Sequence, residues 1–137
     1  MLSRSVVYLT ALSATLLAAF NGAAASPINK RDDEMTYGDA TWFIASDSGS
    51  IGACGEFEPD DGYIAALNGE QYGDMDAVSD DCFRKVRIYH DGKSVDATIT
   101  DACPGCTWGS LDLTPVVFEE LDDLDIGVID IKWRFLD

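Results

Sequence analysis

Hydrophobic and polar positions alternate with a period of two near the end of the chain, where Ile129, Ile131, Trp133 and Phe135 interleave with Asp130, Lys132 and Arg134. Successive side chains of a strand point to opposite faces, so this pattern predicts a half-buried β-strand. The same alternation runs through Val86-Arg87-Ile88-Tyr89 and from Ser94 to Thr100, on either side of His90-Asp91-Gly92-Lys93. Asp-Gly tolerates the positive φ of a tight turn, and the two segments predict a β-hairpin. Ala40-Thr41-Trp42-Phe43-Ile44 is rich in β-branched and aromatic residues and predicts a strand that enters the loop-forming run from Ser46 to Gly52. Tyr63 to Leu67 is short and carries two alanines, which predicts one or two helical turns ended by Gly69. Thr114-Pro115 predicts a second helix with threonine as N-cap and proline at the first helical position, filled by Val116, Val117, Phe118 and Leu121 and ending near Asp122-Asp123. Short strands, two brief helices and no internal repeat predict an all-β fold, a small antiparallel-rich barrel whose openings the helices plug or cross.

The N-terminus follows a different pattern. Arg4 precedes an apolar run from Val6 to Phe20, and Ala23-Ala24-Ala25 supplies the small-x-small signal for cleavage, which predicts a signal peptide over 1–25 and a secreted protein. A run of this length falls short of the roughly 20 residues that span a bilayer. Lys30-Arg31 stands before Asp32-Asp33-Glu34 and resembles a dibasic processing site, so 26–31 reads as a propeptide, 32–38 as a flexible tail and 39–137 as the folded domain. The length of 137 residues fits a single domain, expected to be a monomer.

Four cysteines, Cys54, Cys82, Cys103 and Cys106, lie beyond these segments. An even count in a secreted chain reads as two disulfides, and of the three pairings Cys54–Cys82 with Cys103–Cys106 is expected, because Pro104-Gly105 lets the chain bend sharply between the second pair. A four-thiolate zinc site is disfavoured by the single Cys-x-x-Cys and the oxidising compartment, and a redox pair by the loop-like Thr107-Trp108-Gly109-Ser110 that follows. No motif requires a metal or another cofactor. The chain has nine Lys or Arg against 25 Asp or Glu, and only six of the cations lie beyond residue 31. Such a balance repels phosphates and anionic lipid, which removes nucleic acid and membrane as partners. By the same reasoning pectate is disfavoured, leaving neutral glucans, chitin-type polymers or cationic protein surfaces.

Six motifs stand in order: Ala40-Thr41-Trp42-Phe43, Gly52-Ala53-Cys54-Gly55, Ile64-Ala65-Ala66-Leu67-Asn68, Gly92-Lys93-Ser94-Val95, Asp101-Ala102-Cys103-Pro104-Gly105-Cys106 and Leu111-Asp112-Leu113-Thr114-Pro115. With them the chain resembles the fungal loosenins, single-domain relatives of expansins. More widely it resembles the double-psi β-barrel proteins, among them expansins, rare lipoprotein A, barwin-like proteins and family 45 endoglucanases. The resemblance covers nearly all of residues 37–137. It implies a six-stranded double-psi β-barrel with an open groove for a cell-wall polysaccharide such as cellulose or chitin, and wall loosening with little release of sugar. It also implies weak binding, since a loosenin-like protein lacks the second, carbohydrate-binding domain of full-length expansins.

Carried over position by position, the resemblance places Asp112 where the endoglucanases have their catalytic acid and expansins a required aspartate. A carboxyl group there can protonate a glycosidic oxygen, hydrogen-bond a sugar hydroxyl, or only accept backbone N–H bonds near the helix start. Inverting hydrolysis needs a second carboxylate at ~6.5–9.5 Å to activate water. The position that matches this base is Ala45, with Asp47 two residues further on in a Gly- and Ser-rich loop. Asp101 matches an aspartate of lytic transglycosylases of this fold and of rare lipoprotein A. No histidine stands near Ala65-Ala66-Leu67 to assist it, and His90 is read as a solvated turn residue. Thr41, Phe43, Asp101 and Asp112 are therefore expected to grip a sugar chain, with phenylalanine where many relatives carry tyrosine. Trp108, in the loop between the two aspartates, either stacks on a sugar or packs beside the disulfide, while Trp133 belongs to the core stripe. The leading expectation is a non-hydrolytic wall-loosening or glycan-binding protein. The alternatives are a barwin-like protease inhibitor or effector, acting through loops at Asp47–Gly52 or Asp74–Asp81, and a weak glycosidase or lytic enzyme using Asp112 or Asp101.

Overall fold

The computed structural model describes residues 34–137. The expected signal peptide over 1–25 and the Lys30-Arg31 site lie outside the described residues. Six strands, β1 (Thr36–Trp42), β2 (Ile64–Asn68), β3 (Lys85–His90), β4 (Lys93–Cys103), β5 (Leu111–Leu113) and β6 (Ile129–Phe135), close into a barrel in the order β1-β5-β2-β4-β3-β6. Closure leaves no edge strand with unpaired backbone groups. Two short helices, α1 (Gly69–Tyr72) and α2 (Pro115–Glu119), complete the all-β architecture expected from the sequence. Two strand pairs are parallel, β1 with β5 and β2 with β4, and the other four are antiparallel.

The predicted hairpin forms from β3 and β4, with His90 opposite Lys93 and positive φ at both Asp91 and Gly92. β6 buries Ile129, Ile131, Trp133 and Phe135 and turns Asp130 and Lys132 outward, as its period of two predicts. Trp133 is fully buried, and its indole N–H donates to Gly109 O at 2.8 Å, so the largest core side chain also leaves no unsatisfied donor. Gly38 lies so close to the Gly109–Ser110 backbone that a Cβ would collide with it, which is why a side-chain-free residue stands there.

Four local expectations are corrected. Tyr63 to Leu67 was expected to be helical, but Ile64–Asn68 is β2, a strand with every residue buried. Such a strand has no polar alternation to reveal it, and it lies in the sheet between β4 and β5. Gly69 begins a helix rather than ending one: Asn68 Oδ1 accepts from the Gln71 N–H at 3.0 Å and caps α1. β1 starts at Thr36, inside the expected tail of 32–38, because Thr36, Tyr37 and Gly38 pair with Trp133, Lys132 and Ile131. Thr114 does precede α2, with Pro115 in the first turn, yet its hydroxyl does not cap the helix. It donates instead to Gly62 O at 2.6 Å and so ties α2 to the entry of β2.

The disulfides join Cys54 to Cys82 and Cys103 to Cys106, as expected. The first crosses 28 positions of sequence and holds the loop after β1 against the loop before β3.

Candidate functional site

β-sheet register builds the site. Asp112 on β5 lies opposite Thr41 on β1 and opposite Ala66 on β2, and Ala66 lies opposite Asp101 on β4. Directly paired residues present their side chains on one face, so Thr41, Asp112, Ala66 and Asp101 form a row across four strands. Ala66 is small and almost wholly buried, and it separates the two carboxylates by two strand spacings, about 9.6 Å between backbones.

Thr41 Oγ1 donates to Asp112 Oδ1 at 2.8 Å. Burial raises the Asp112 carboxyl above the usual aspartate range, the Thr41 hydrogen bond pulls it back, and the nearby charge of Asp101 raises it again. Asp101 Oδ1 accepts from the N–H groups of Ala53 and Ala102, each at 2.8 Å. The aspartate thereby pins the Gly52–Cys54 loop to β4, and the Cys54 N–H to Thr100 O bond at 3.1 Å reinforces that join.

A third carboxyl escaped sequence reasoning. Glu58, 2% exposed, accepts from Thr100 Oγ1 at 3.2 Å, and burial together with the charge of Asp101 pushes its pKa up to about 7. Gly52 leaves the space that Glu58 occupies, since a Cβ there would collide with the glutamate. In the sequence Glu58 is one of several acids between Glu56 and Asp61, and no local pattern sets it apart.

Phe43 continues the outward stripe of β1, half-buried, with its N–H bonded to Leu113 O at 2.9 Å. Ala45, at the position that matches the hydrolytic base, is buried in a 3-10 turn, and Asp47 is exposed on that turn. A shallow concavity of about 300 Å3 beside the row is lined by Asp39, Thr41, Thr107 and the Cys103–Cys106 disulfide. Trp108 lines a different concavity, with Thr36, Gln71 and Phe135, where it is 56% exposed. The structure therefore brings Thr41, Asp112 and Asp101 together, while Trp108 lines another concavity than its chain neighbour Thr107, which shares one with Thr41. His90 is not a solvated turn residue: Nδ1 donates to Asp130 O at 2.6 Å and Nε2 lies 3.2 Å from Asp122 Oδ2, so the ring clamps the hairpin turn to β6 and to the segment after α2. Among the described residues no group of three His, Cys, Asp or Glu side chains is arranged to hold a metal ion.

No protein-family model matches the chain. It is 36% identical over 74 residues to an allergen Asp f 7 homolog of Arthroderma benhamiae, a match that covers 53% of this chain and 26% of the relative. It is 33% identical over 52 residues to a papain inhibitor of Streptomyces mobaraensis, covering 37% of this chain and 36% of that one. The chain thus spans only about a quarter to a third of these relatives. Among solved structures, the Streptomyces papain inhibitor superposes with a TM-score of 0.68 at 22% identity, covering 77% of this chain and 97% of that chain. A mutant expansin of Clavibacter michiganensis in complex with cellohexaose superposes with a TM-score of 0.65 at 24% identity, covering 76% of this chain and 51% of the expansin. A cerato-platanin of M. perniciosa does so with a TM-score of 0.56 at 14% identity, over 74% of this chain and 94% of that one. The closed six-stranded barrel, its two short helices and these superpositions give the chain the double-psi β-barrel fold that the expansin and papain inhibitor structures share.

Proposed function

We propose that this is an extracellular protein that holds a neutral wall polysaccharide along the Thr41–Asp112–Ala66–Asp101 row and loosens the polymer network without hydrolysing it. The observation that carries the reading is the Thr41–Asp112 hydrogen bond beside a buried Ala45. A threonine-held carboxyl is placed to bind a sugar hydroxyl, and no carboxylate stands at the base position that inverting hydrolysis uses. The expansin solved with cellohexaose supports an oligosaccharide as the ligand. The two disulfides suit a secreted protein. The test incubates the protein and its Asp112→Asn variant with insoluble cellulose and chitin, and measures bound protein and soluble reducing ends in one sample. Retention or fibre loosening without sugar release is expected, weakened in the variant. Sugar release that disappears in Asp112→Asn makes the protein a hydrolase instead.

A second reading, protease inhibition, draws on the papain inhibitors and on one loop. Ile51 and Phe57 pair across the base of the loop that carries Cys54, 60% and 68% exposed, and offer an apolar surface to a protease. Inhibition of papain that survives Asp112→Asn and fails in Phe57→Ser establishes this reading in place of the first.

A further inference from the structure

The acidity of the chain hides a segregation of charge. All six cations beyond residue 31 (Arg84, Lys85, Arg87, Lys93, Lys132 and Arg134) fall on β3, on β6 or on the residues adjoining β3 and opening β4. Lys85 and Arg87 alternate with buried Val86 and Ile88, and Lys132 and Arg134 with buried Trp133, so these four point out of the barrel wall. Arg87 pairs with Asp96 at 2.7 Å. Among the described residues, Lys85, Lys132 and Arg134 form no ion pair with a carboxylate.

Tyrosines run through this basic face. Tyr37 on β1 lies opposite Lys132 on β6, Lys132 lies opposite Tyr89 on β3, and Tyr89 lies opposite Ser94 on β4. Tyr37 is 67% exposed, and Lys132 Nζ stands 6.0 Å from the centroid of the Tyr89 ring. Tyr37, Tyr89, Lys132 and Ser94 line one concavity of about 560 Å3, and Tyr89, Ser94, Arg87 and Tyr63 line the next. Three tyrosines and two of the outward cations, Arg87 and Lys132, thus share one track along the wall, with Arg134 opposite Arg87. The acids on it are Asp96, held by Arg87, Glu120, which accepts from the Tyr63 hydroxyl at 3.3 Å, and Asp91 and Asp130 at the His90 end.

We infer that the outer face of β3 and β6 is a second glycan site, distinct from the Asp112 row, and that it takes an acidic polysaccharide of the uronate type. Two observations select this ligand. Unpaired cations in an otherwise acidic protein complement a carboxylate-bearing polymer, and exposed phenol rings offer stacking faces to sugar rings. The choice of a glycan over other polyanions rests on the function proposed above, because β1 carries Thr41 of that row and Tyr37 of this track on the same outward stripe. Neutral polymer in the groove and acidic polymer on the wall would then meet on one strand, which suits a protein acting where the two polymers are in contact.

The test is retention at low salt on immobilised polygalacturonate, on cellulose, on duplex DNA and on phosphatidylserine vesicles. Polygalacturonate is expected to hold the protein, to release it as salt rises, and to hold Lys132→Gln/Arg134→Gln on the order of tenfold less. That variant is expected to keep its retention on cellulose, which also shows that it is folded. Tyr37→Ala, a change at an exposed ring that leaves every cation in place, is expected to weaken retention on polygalacturonate as well. No retention on polygalacturonate, retention indifferent to both variants, or equal retention on DNA or vesicles overturns the proposal. Loss of cellulose binding with polygalacturonate binding intact overturns the groove function and leaves the wall site standing.

Discussion

Thr41 and Asp112 are 71 positions apart, yet the parallel pairing of β1 with β5 sets them side by side, and the threonine hydroxyl donates to the carboxylate at 2.8 Å. The bond favours the ionised aspartate against the burial that disfavours it. Thr41→Val is therefore expected to raise the pKa of Asp112 further and to cost about 1 kcal/mol of stability. Carboxyl carbon NMR titration reads the first effect and denaturant unfolding the second, and an unmoved Asp112 titration shows that the hydroxyl does not control that charge.

Glu58 gives the fold an unusual dependence on pH. Its pKa in the folded protein, about 7, lies above the usual 4.5, so folding takes up a proton in the interval between them. Stability linked to this group is fully present below about 4.5 and is lost as pH rises through about 7. The melting temperature of the parent protein, measured across that window, is expected to fall more steeply than that of Glu58→Gln. Parallel curves for the two proteins exclude the linkage.

Removing the Cys54–Cys82 disulfide frees a loop of 28 positions. Chain-entropy reasoning puts the loss at about 3–4 kcal/mol for Cys54→Ala/Cys82→Ala. Urea unfolding measures it, and a loss well under 1 kcal/mol would mean that the bonds of Ala53 to Asp101 and of Cys54 to Thr100 already hold this loop.

Trp133 fills the core and satisfies Gly109 O. Trp133→Phe leaves that carbonyl without its donor and is expected to cost about 1–3 kcal/mol, whereas Trp133→Ala also opens a cavity and costs about 3–5 kcal/mol. A loss well under 1 kcal/mol in Trp133→Phe, measured by thermal unfolding, would show that the hydrogen bond contributes nothing.

Sequence alone determined the elements whose side chains see two different solvents. β6 and the β3–β4 hairpin each have one face in the core and one in water, and that contrast is written into the chain as a period of two. The cysteine pairing was legible for a related reason, because the bend at Pro104-Gly105 is local. β2 was not legible, since a strand buried on both faces loses its alternation and its alanines suggest a helix. Thr41, Asp101 and Asp112 could be named through the family motifs, but only the closure of the barrel decides that they share a row. The same holds for Glu58 and for the cations of β3 and β6. Net charge is a sum over the chain and carries no positions, so the raised pKa of a buried acid and a basic face on an acidic protein exist only once the strands are paired.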